Sequence, residues 1–469
     1  MQIRVLSDSQ IGQIQSATED ILEKTGFKVE DERLLKIAAR AGAMVEQDSQ
    51  IVKIPRELLR SLLGQTPSSY VIKCIDGKAY TVGGGDQYIS AIVTDPWIIN
   101  YDTGKPRRPS LNDVVTNTVL TQLNDKVAQV SRMDFPVTEY EDATSSLRAL
   151  EAHLLNHAKH YSVYAGSVAG FRQWLQIGEL VAPAGGLKGS ALMSVAVAVV
   201  SPLILSSVNA ELLLGATGNR FAVIPTICPM AGTTSPYSKA ATLLQGNVEN
   251  IFLAALTQMV SPGNPFLYAF GPSVSNMHSG RCLYYTLDKV LWKAATTELA
   301  RAYNLPVVAE CGGTLSHRYD MQSGAESMLF MLTAQNTGSD LLAGLGSCYN
   351  ANGLSSEMIV IHSAWLEAAE HLSRGIGFED FQDGIESIMT QCQGGHFLMD
   401  DLTLKLIRSN EFFASKIFDM TGGYEAAPSM LERAHERVVE LTADYVSPVP
   451  GDIQEALKRY FHDQYTKLQ

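Results

Sequence analysis

Two hydrophobic spacings alternate along this chain. Short, nearly unbroken apolar runs are followed by longer stretches in which apolar residues return every three or four positions. From about residue 110 the runs at 128–133, 161–165, 193–200, 221–227, 265–270, 306–309 and 340–345 predict strands. The stretches at 141–159, 170–182, 206–217, 236–260, 285–303 and 321–337 predict helices between them. A strand without polar alternation is buried on both faces, as in a parallel sheet. Seven such alternations joined by short loops predict an α/β protein, a (β/α)8 TIM barrel, with a doubly wound sheet as the rival topology. The eighth strand is the least marked; 396–399 is its candidate.

The flanks read differently. Helical spacing over 8–25 stops at Gly26, a second helix covers 31–41, and Pro55 opens a third. Residues 71–103 alternate apolar and polar around the turn sequences DGK, GGG and DTGK, which predicts β-hairpins. The expected organisation is an N-terminal α+β extension over 1–109, a barrel over 110–400, and a helical C-terminal segment over 401–469 packed on it.

The 469 residues are 46% hydrophobic and 8% aromatic, enough for a large core. Only 18% are charged, which points to further buried surface such as a homo-oligomer interface. A net charge of −13 without blocks of one sign argues against nucleic acid and anionic membranes as partners. The longest apolar run, 191–208, is broken by serines and Pro202, so no membrane span is expected. Six scattered cysteines contain no C-x-x-C pair, so they read as reduced thiols of a cytoplasmic protein.

Candidate chemistry gathers on 306–326, PVVAECGGTLSHRYDMQSGAE. An apolar strand runs into Glu310 and Cys311, Gly312 and Gly313 open a loop, and Asp320 caps the next helix. In a parallel barrel such strand ends form the ligand face. The other predicted ends, 134–135 (Asp134 and Phe135), 166–167, 201–202, 228–235, 271–277 and 346–349, carry Gly, Ser and aromatics but no acid–base pair. Such a site suits binding and orientation more than proton transfer. Glu310, directly after a buried strand, requires a cation or a substrate. In the loop Gly232, Thr233, Thr234, Ser235, the pair Ser235–Pro236 reads as a helix start, either an anion site or an ordinary cap.

Tyr88, Trp97, Tyr101, Phe135, Tyr349 and Phe397 are candidates for the mouth, with core packing as the alternative. His153, His157 and His160 share a helical face but precede a strand, at the end opposite a barrel's active site, and no metal is assigned to them. Cys311 and Cys348 have no cationic neighbour in the sequence to activate them. GLGSCYNANG has Tyr349 where a dinucleotide loop needs its third glycine, and no phosphate-loop, zinc-protease or nucleophile-elbow motif occurs.

Several strings taken together resemble one family. They are AKH at 158–160, SPL and SVNA within 201–210, GTTSP at 232–236, RAYNLPVVA at 301–309, and Asp320, Gln322, Gly324 and Glu326 in D-x-Q-x-G-x-E. LSSEMIVI at 354–361, GGHFL at 394–398 and SPVPGDI near the C-terminus complete the set. In this order they resemble the trimethylamine methyltransferase family, corrinoid-dependent enzymes on a TIM barrel. The trimethylamine enzymes carry pyrrolysine after the sixth strand. Here AECGG stands there, with ordinary residues at Cys311, Gly312 and Gly313, so the resemblance is to the pyrrolysine-lacking branch. Assigned members of that branch act on quaternary amines such as glycine betaine, proline betaine and carnitine.

The resemblance implies methyl transfer from a quaternary amine to cob(I)alamin, the cobalamin being carried by a partner corrinoid protein and faced by Cys311, Gly312 and Gly313. Cofactor chemistry leaves the protein to bind, orient and exclude water. On this expectation Trp97, Tyr101, Phe135 and Tyr349 form a cage for the ammonium, and Glu310 adds negative charge beside it. Gly232, Thr233, Thr234 and Ser235, or His396 with Tyr349, hold a substrate carboxylate. The alternatives are a non-catalytic quaternary-amine binding protein and a phosphate-substrate barrel aldolase or isomerase. The latter needs a lysine or acid–base pair that the strand ends do not show.

Overall fold

The computed structural model describes residues 3–132, 135–424 and 427–468; Asp134, expected at a strand end, lies outside them. Its centre is a curled parallel sheet of seven strands: β1 (Tyr88–Ile92), β2 (Val127–Arg132), β3 (His160–Val163), β4 (Met193–Ala198), β5 (Ala222–Thr226), β6 (Val308–Glu310) and β7 (Leu341–Ala343). Their spatial order is β5-β4-β3-β2-β1-β7-β6. Between the two edges lies segment 265–270, whose Phe266 bridges Val223 in parallel and whose Tyr268 bridges Val307 in parallel.

The outer helices are α1 (Leu111–Leu123), α2 (Ser145–Leu154), α3 (Val168–Val181), α4 (Ser207–Gly218), α5 (Lys239–Val260), α6 (Asp288–Ala302), α7 (Met321–Thr337) and α8 (Ser356–Arg374). α5 is buried along most of its length, and its Phe252 ring stacks on Phe27 at 4.0 Å, tying the N-terminal extension to the outer layer. α7 starts as the sequence predicts, with the Asp320 carboxylate accepting from Ser323 N–H at 3.0 Å.

Three expectations are corrected. Tyr88–Ile92 is not a hairpin arm: it pairs in parallel with both β2 and β7, so the sheet begins before residue 110. Residues 396–399 form no strand; they lie in an exposed, turn-rich segment. Ser235–Pro236 does not open α5: the N-cap is Ser238, whose Oγ accepts from Ala241 N–H at 3.4 Å.

Two of the predicted hairpins do form: Trp97–Ile99 pairs with Pro106–Arg107 around DTGK, and Tyr70–Lys73 pairs with Ala79–Val82 around DGK. Tyr70, Ile72 and Val82 pack with Ala128, Ala222, Ile224, Leu267 and Leu341. Lys73 N–H donates to Ala191 and Ile75 N–H to Ala158, both just before strands. The Tyr70–Val82 hairpin therefore closes the N-terminal end of the sheet and leaves the C-terminal end as the open one. No helix among the described residues is long and apolar enough to cross a membrane.

Candidate active site

Inward-facing residues alternate along a strand, and this parity builds the site. Ser90 and Ile92, Gln129 and Ser131, Ser162 and Tyr164, Ile224 and Thr226, Leu267 and Ala269, and Val308 and Glu310 all face one cavity of about 490 Å³ at the C-terminal end of the sheet. Barrel interiors are ordinarily filled with branched apolar side chains. Here the lining includes Ser90, Gln129, Ser131, Ser162, Thr226 and Glu310, and it leaves a space of ligand size. The loops add Asp95, Cys228, Phe270, Tyr284, Tyr285 and Ser347, and Lys293 reaches the cavity from α6.

Glu310 ends β6 and is buried. Lys293 Nζ lies 2.5 Å from its Oε2 and Lys289 Nζ lies 3.4 Å from Oε1. The Tyr284 hydroxyl donates to Oε1 at 3.0 Å. Lys293 also donates to the Phe270 carbonyl. Lys289 sits over the Tyr284 ring, 2.8 Å from its centroid. Burial works against the Glu310 charge, but Lys293, Lys289 and Tyr284 together hold its pKa down to about 2. Burial draws Lys289 down to about 7 against the pull of Glu310. Two lysines face one carboxylate, so the cluster carries surplus positive charge whenever both are protonated.

Asp95, three residues beyond β1, is 5% exposed. Its Oδ2 is buried without a hydrogen-bond partner, and burial raises its pKa to about 8. Gln129 donates to Ser90 Oγ at 2.8 Å while its own Oε1 is likewise buried without a partner. Asp95 and Gln129 thus line the cavity while these two oxygens stay sealed, with no donor among the described residues.

The loop after β6 is fastened by Glu326. Its carboxylate accepts from Thr314 Oγ1 at 2.5 Å, from Leu315 N–H at 2.9 Å and from Gln322 Nε2 at 2.8 Å. The D-x-Q-x-G-x-E string is therefore a loop anchor: Asp320 caps, and Gln322 and Glu326 tie. Gly313 has φ +126°, and a Cβ there would lie 2.1 Å from the Tyr285 ring.

Of the predicted strand ends, Cys228, Gly271, Glu310 and Ser347 line the cavity; of the residues given a role only Glu310 does, and its charge is taken by the lysines rather than left for a substrate. Trp97 is covered by the Arg108 guanidinium, 4.1 Å from the ring centroid. Tyr101 stacks on His435 at 3.7 Å. Phe135 lines a separate outer pocket with Pro96, Arg108 and Tyr140. Tyr349 meets His317 edge to face at 5.4 Å, and His396 is exposed in the turn-rich segment around 396–399. Gly232, Thr233, Thr234 and Ser235 form a turn around the Met230 carbonyl, away from the cavity. Cys311 is sealed in, its thiol pushed up to about 12, and Gly312 packs on His362.

The aromatic side chains that do line the cavity are Tyr164, Phe270, Tyr284 and Tyr285. The lysines absent from the strand ends come from a helix instead. His157 and His160 are buried, with burial drawing their pKa values to about 3 and about 4. No group of metal-binding side chains occurs among the described residues.

Residues 1–468 match the family model described as trimethylamine methyltransferase (MTTB), and the chain belongs to that family. It is 27% identical over 462 residues to a glycine betaine methyltransferase of Desulfitobacterium hafniense, covering 95% of this chain and 93% of that one. It is 24% identical over 460 residues to a proline betaine:corrinoid methyltransferase of Eubacterium limosum, covering 94% and 93%. A trimethylamine methyltransferase of Desulfitobacterium hafniense is 24% identical over 466 residues, with 96% and 92% covered. Among solved structures, the monomethylamine methyltransferase of Methanosarcina barkeri aligns with 98% of this chain and 92% of its own at a TM-score of 0.48 and 13% identity.

Proposed function

We propose that this protein is a quaternary amine:corrinoid protein methyltransferase acting on a betaine-type substrate. The carrying observation is the aromatic lining of the cavity, Tyr164, Phe270 and Tyr285, beside Tyr284 whose ring already carries Lys289, in a member of this family. Aromatic faces attract a quaternary ammonium by roughly 0.5–2 kcal/mol each when desolvated. The surplus positive charge of Lys289 and Lys293 over Glu310 gives a substrate carboxylate its place. The relatives named for glycine betaine and proline betaine support this substrate class.

The sheet is read here as a closed (β/α)8 ring, supported by the parallel bridges from Val223 to Phe266 and from Tyr268 to Val307. The ring then runs from β1 to β7, with segment 265–270 as one staff. The N-terminal extension ends before Tyr88, and the C-terminal helices pack outside it.

In this reading the protein's own work is binding and alignment. The cage holds the ammonium with one N–methyl group toward the mouth. The C–N bond breaks with its electron pair left on nitrogen, so the departing amine is neutral and needs no proton. The step calls on no general acid: the Tyr284 hydroxyl has its pKa raised well above the usual phenol value, Glu310 stays ionised, and the proton that burial keeps on Asp95 is not needed by a departing neutral amine. The mouth is edged by Cys282, Asn350, Ala351 and Asn352, small and uncharged, which fits a broad neutral ring laid across it. A corrinoid carried there by a partner protein would supply the cobalt nucleophile that accepts the methyl group. Asn350 is well placed to shape that rim, since its side chain accepts from Tyr284 N–H at 2.6 Å and donates to the Cys282 carbonyl at 2.6 Å.

The test is incubation of the protein with reduced corrinoid and, separately, glycine betaine, proline betaine and carnitine. Loss of one methyl group from a substrate by mass spectrometry, matched by a change in the corrinoid's visible spectrum, is the expected result. Binding of a betaine without either change would make the protein a binder, and binding of none would end the reading.

A further inference from the structure

We propose that Asp95, with Gln129 beside it on the same wall, is the counter-charge to the substrate's ammonium group. The inference rests on the quaternary-amine reading and deepens it by naming the residue that senses the charge. Glu310 is the obvious carboxylate in the cavity, but Lys293 and Lys289 already neutralise it. Asp95 faces the same cavity, is 5% exposed, and keeps Oδ2 buried without a partner.

A buried carboxylate with no donor costs folding energy, and natural proteins rarely keep one without a use. A primary or secondary ammonium would be met by acceptors placed for directed hydrogen bonds. A quaternary ammonium has none to give. It offers instead a shell of methyl groups carrying positive charge, which pack against oxygens through weak C–H···O contacts and long-range attraction. Asp95 and Gln129 both line the cavity, and Asp95 Oδ2 has no donor among the described residues, so the carboxylate charge is left to act on a cation held in the cavity. Among the described residues, the titrating groups raised by the Asp95 charge are Tyr285 and Cys348, a phenol and a thiol that carry no positive charge to pair with it.

Calorimetric titration with glycine betaine, proline betaine and carnitine, and with 3,3-dimethylbutanoate, which keeps the carboxylate and puts a neutral tert-butyl group in place of the ammonium, separates charge from shape. The parent protein is expected to prefer its betaine over the isostere by about tenfold or more, as a desolvated charge contact requires. Asp95→Asn keeps the volume and is expected to lose about tenfold in betaine affinity while binding the anionic isostere no more weakly than the parent does. Asp95→Glu, which keeps the charge, is expected to retain the preference for betaine. A betaine affinity unchanged in Asp95→Asn would overturn the assignment and leave the quaternary-amine reading standing. Equal loss for betaine and isostere would make Asp95 a structural residue and also overturn it. A parent protein that binds none of the three betaines would remove both.

Discussion

Lys293 on α6 sets its ammonium 2.5 Å from the Glu310 carboxylate at the end of β6, and both side chains are buried. With Lys289 3.4 Å from the same carboxylate, the group balances two cations on one anion. Removing the anion therefore costs more than removing one cation. Glu310→Gln leaves two buried lysines without a counter-charge and is expected to destabilise the fold by about 3–5 kcal/mol. Lys289→Met removes only surplus charge and is expected to change stability by less than about 1 kcal/mol. Urea unfolding of the two variants and their double mutant checks the order. A Glu310→Gln protein as stable as the parent would refute the coupling.

The same carboxylate fixes an acid limit. The Glu310 pKa is held below its ordinary value, to about 2 in the folded state. Its stabilising contribution is therefore fully present above the unfolded carboxylate pKa of about 4.3. It is lost as pH falls from there toward 2. Acid unfolding of the parent should consequently be steeper below pH 4 than that of Glu310→Gln, whose amide does not titrate.

Asp95 has the opposite sign. Its folded pKa is raised to about 8, so the folded state holds the proton more tightly than the unfolded chain. The parent should lose stability as pH climbs from about 4 to 8 through this group. Asp95→Asn removes that loss, and at pH 8.5 the variant is expected to be more stable than the parent by about 1–3 kcal/mol. Thermal unfolding at pH 5.5 and 8.5 measures it; a variant less stable at both values would show that the carboxylate is held by partners after all. A residue that weakens the empty protein and strengthens its complex is the usual trade at a binding site.

Much of this fold is legible in the sequence because the relevant signals are local. Six of the seven sheet strands and the start of α7 at Asp320 follow from apolar runs and capping. Tyr88–Ile92 escapes because its partners are β2 and β7, drawn from far apart in the chain, while turn residues flank it on both sides. The site is less legible than the fold. A strand end marks Glu310, but whether a neighbouring aromatic faces the cavity depends on strand parity and loop direction, so Trp97 and Tyr349 look as good as Tyr164 and Tyr284. Lys289 and Lys293 carry a usable signal, two lysines four apart on a helix face shared with apolar residues, yet only packing shows that they meet Glu310.

Betaine affinity should depend on pH from two sides. Ionised Asp95 favours the ammonium and is gained as pH rises through about 8. Protonated Lys289 favours the carboxylate and is lost as pH rises through about 7. The groups around Asp95 are Tyr285 and Cys348, and those around Lys289 are Glu310, Lys293, Cys228 and Tyr284. The raised tyrosine and cysteine pKa values keep those groups neutral in this range. Affinity is expected to pass through a maximum between pH 7 and 8. In Asp95→Asn the rising limb should vanish, leaving a monotonic decline. Calorimetry across pH 6 to 9 gives both curves, and a flat profile in the parent would count against both poles.

The cage assignment has a direct contrast built into it. Trp97 offers its face to Arg108, whereas Tyr164 lines the cavity wall at the end of β3. Trp97→Ala is expected to leave betaine affinity within about twofold of the parent, because no bound ligand would touch the ring. Tyr164→Ala removes one aromatic face and is expected to cost about 0.5–2 kcal/mol of binding. Tyr164→Leu is the control for volume: it refills the space without the ring's negative face, so its loss should approach that of the alanine variant. If Trp97→Ala weakens binding and Tyr164→Ala does not, the ammonium sits in the outer pocket beside Phe135, and the aromatic wall described here is packing alone.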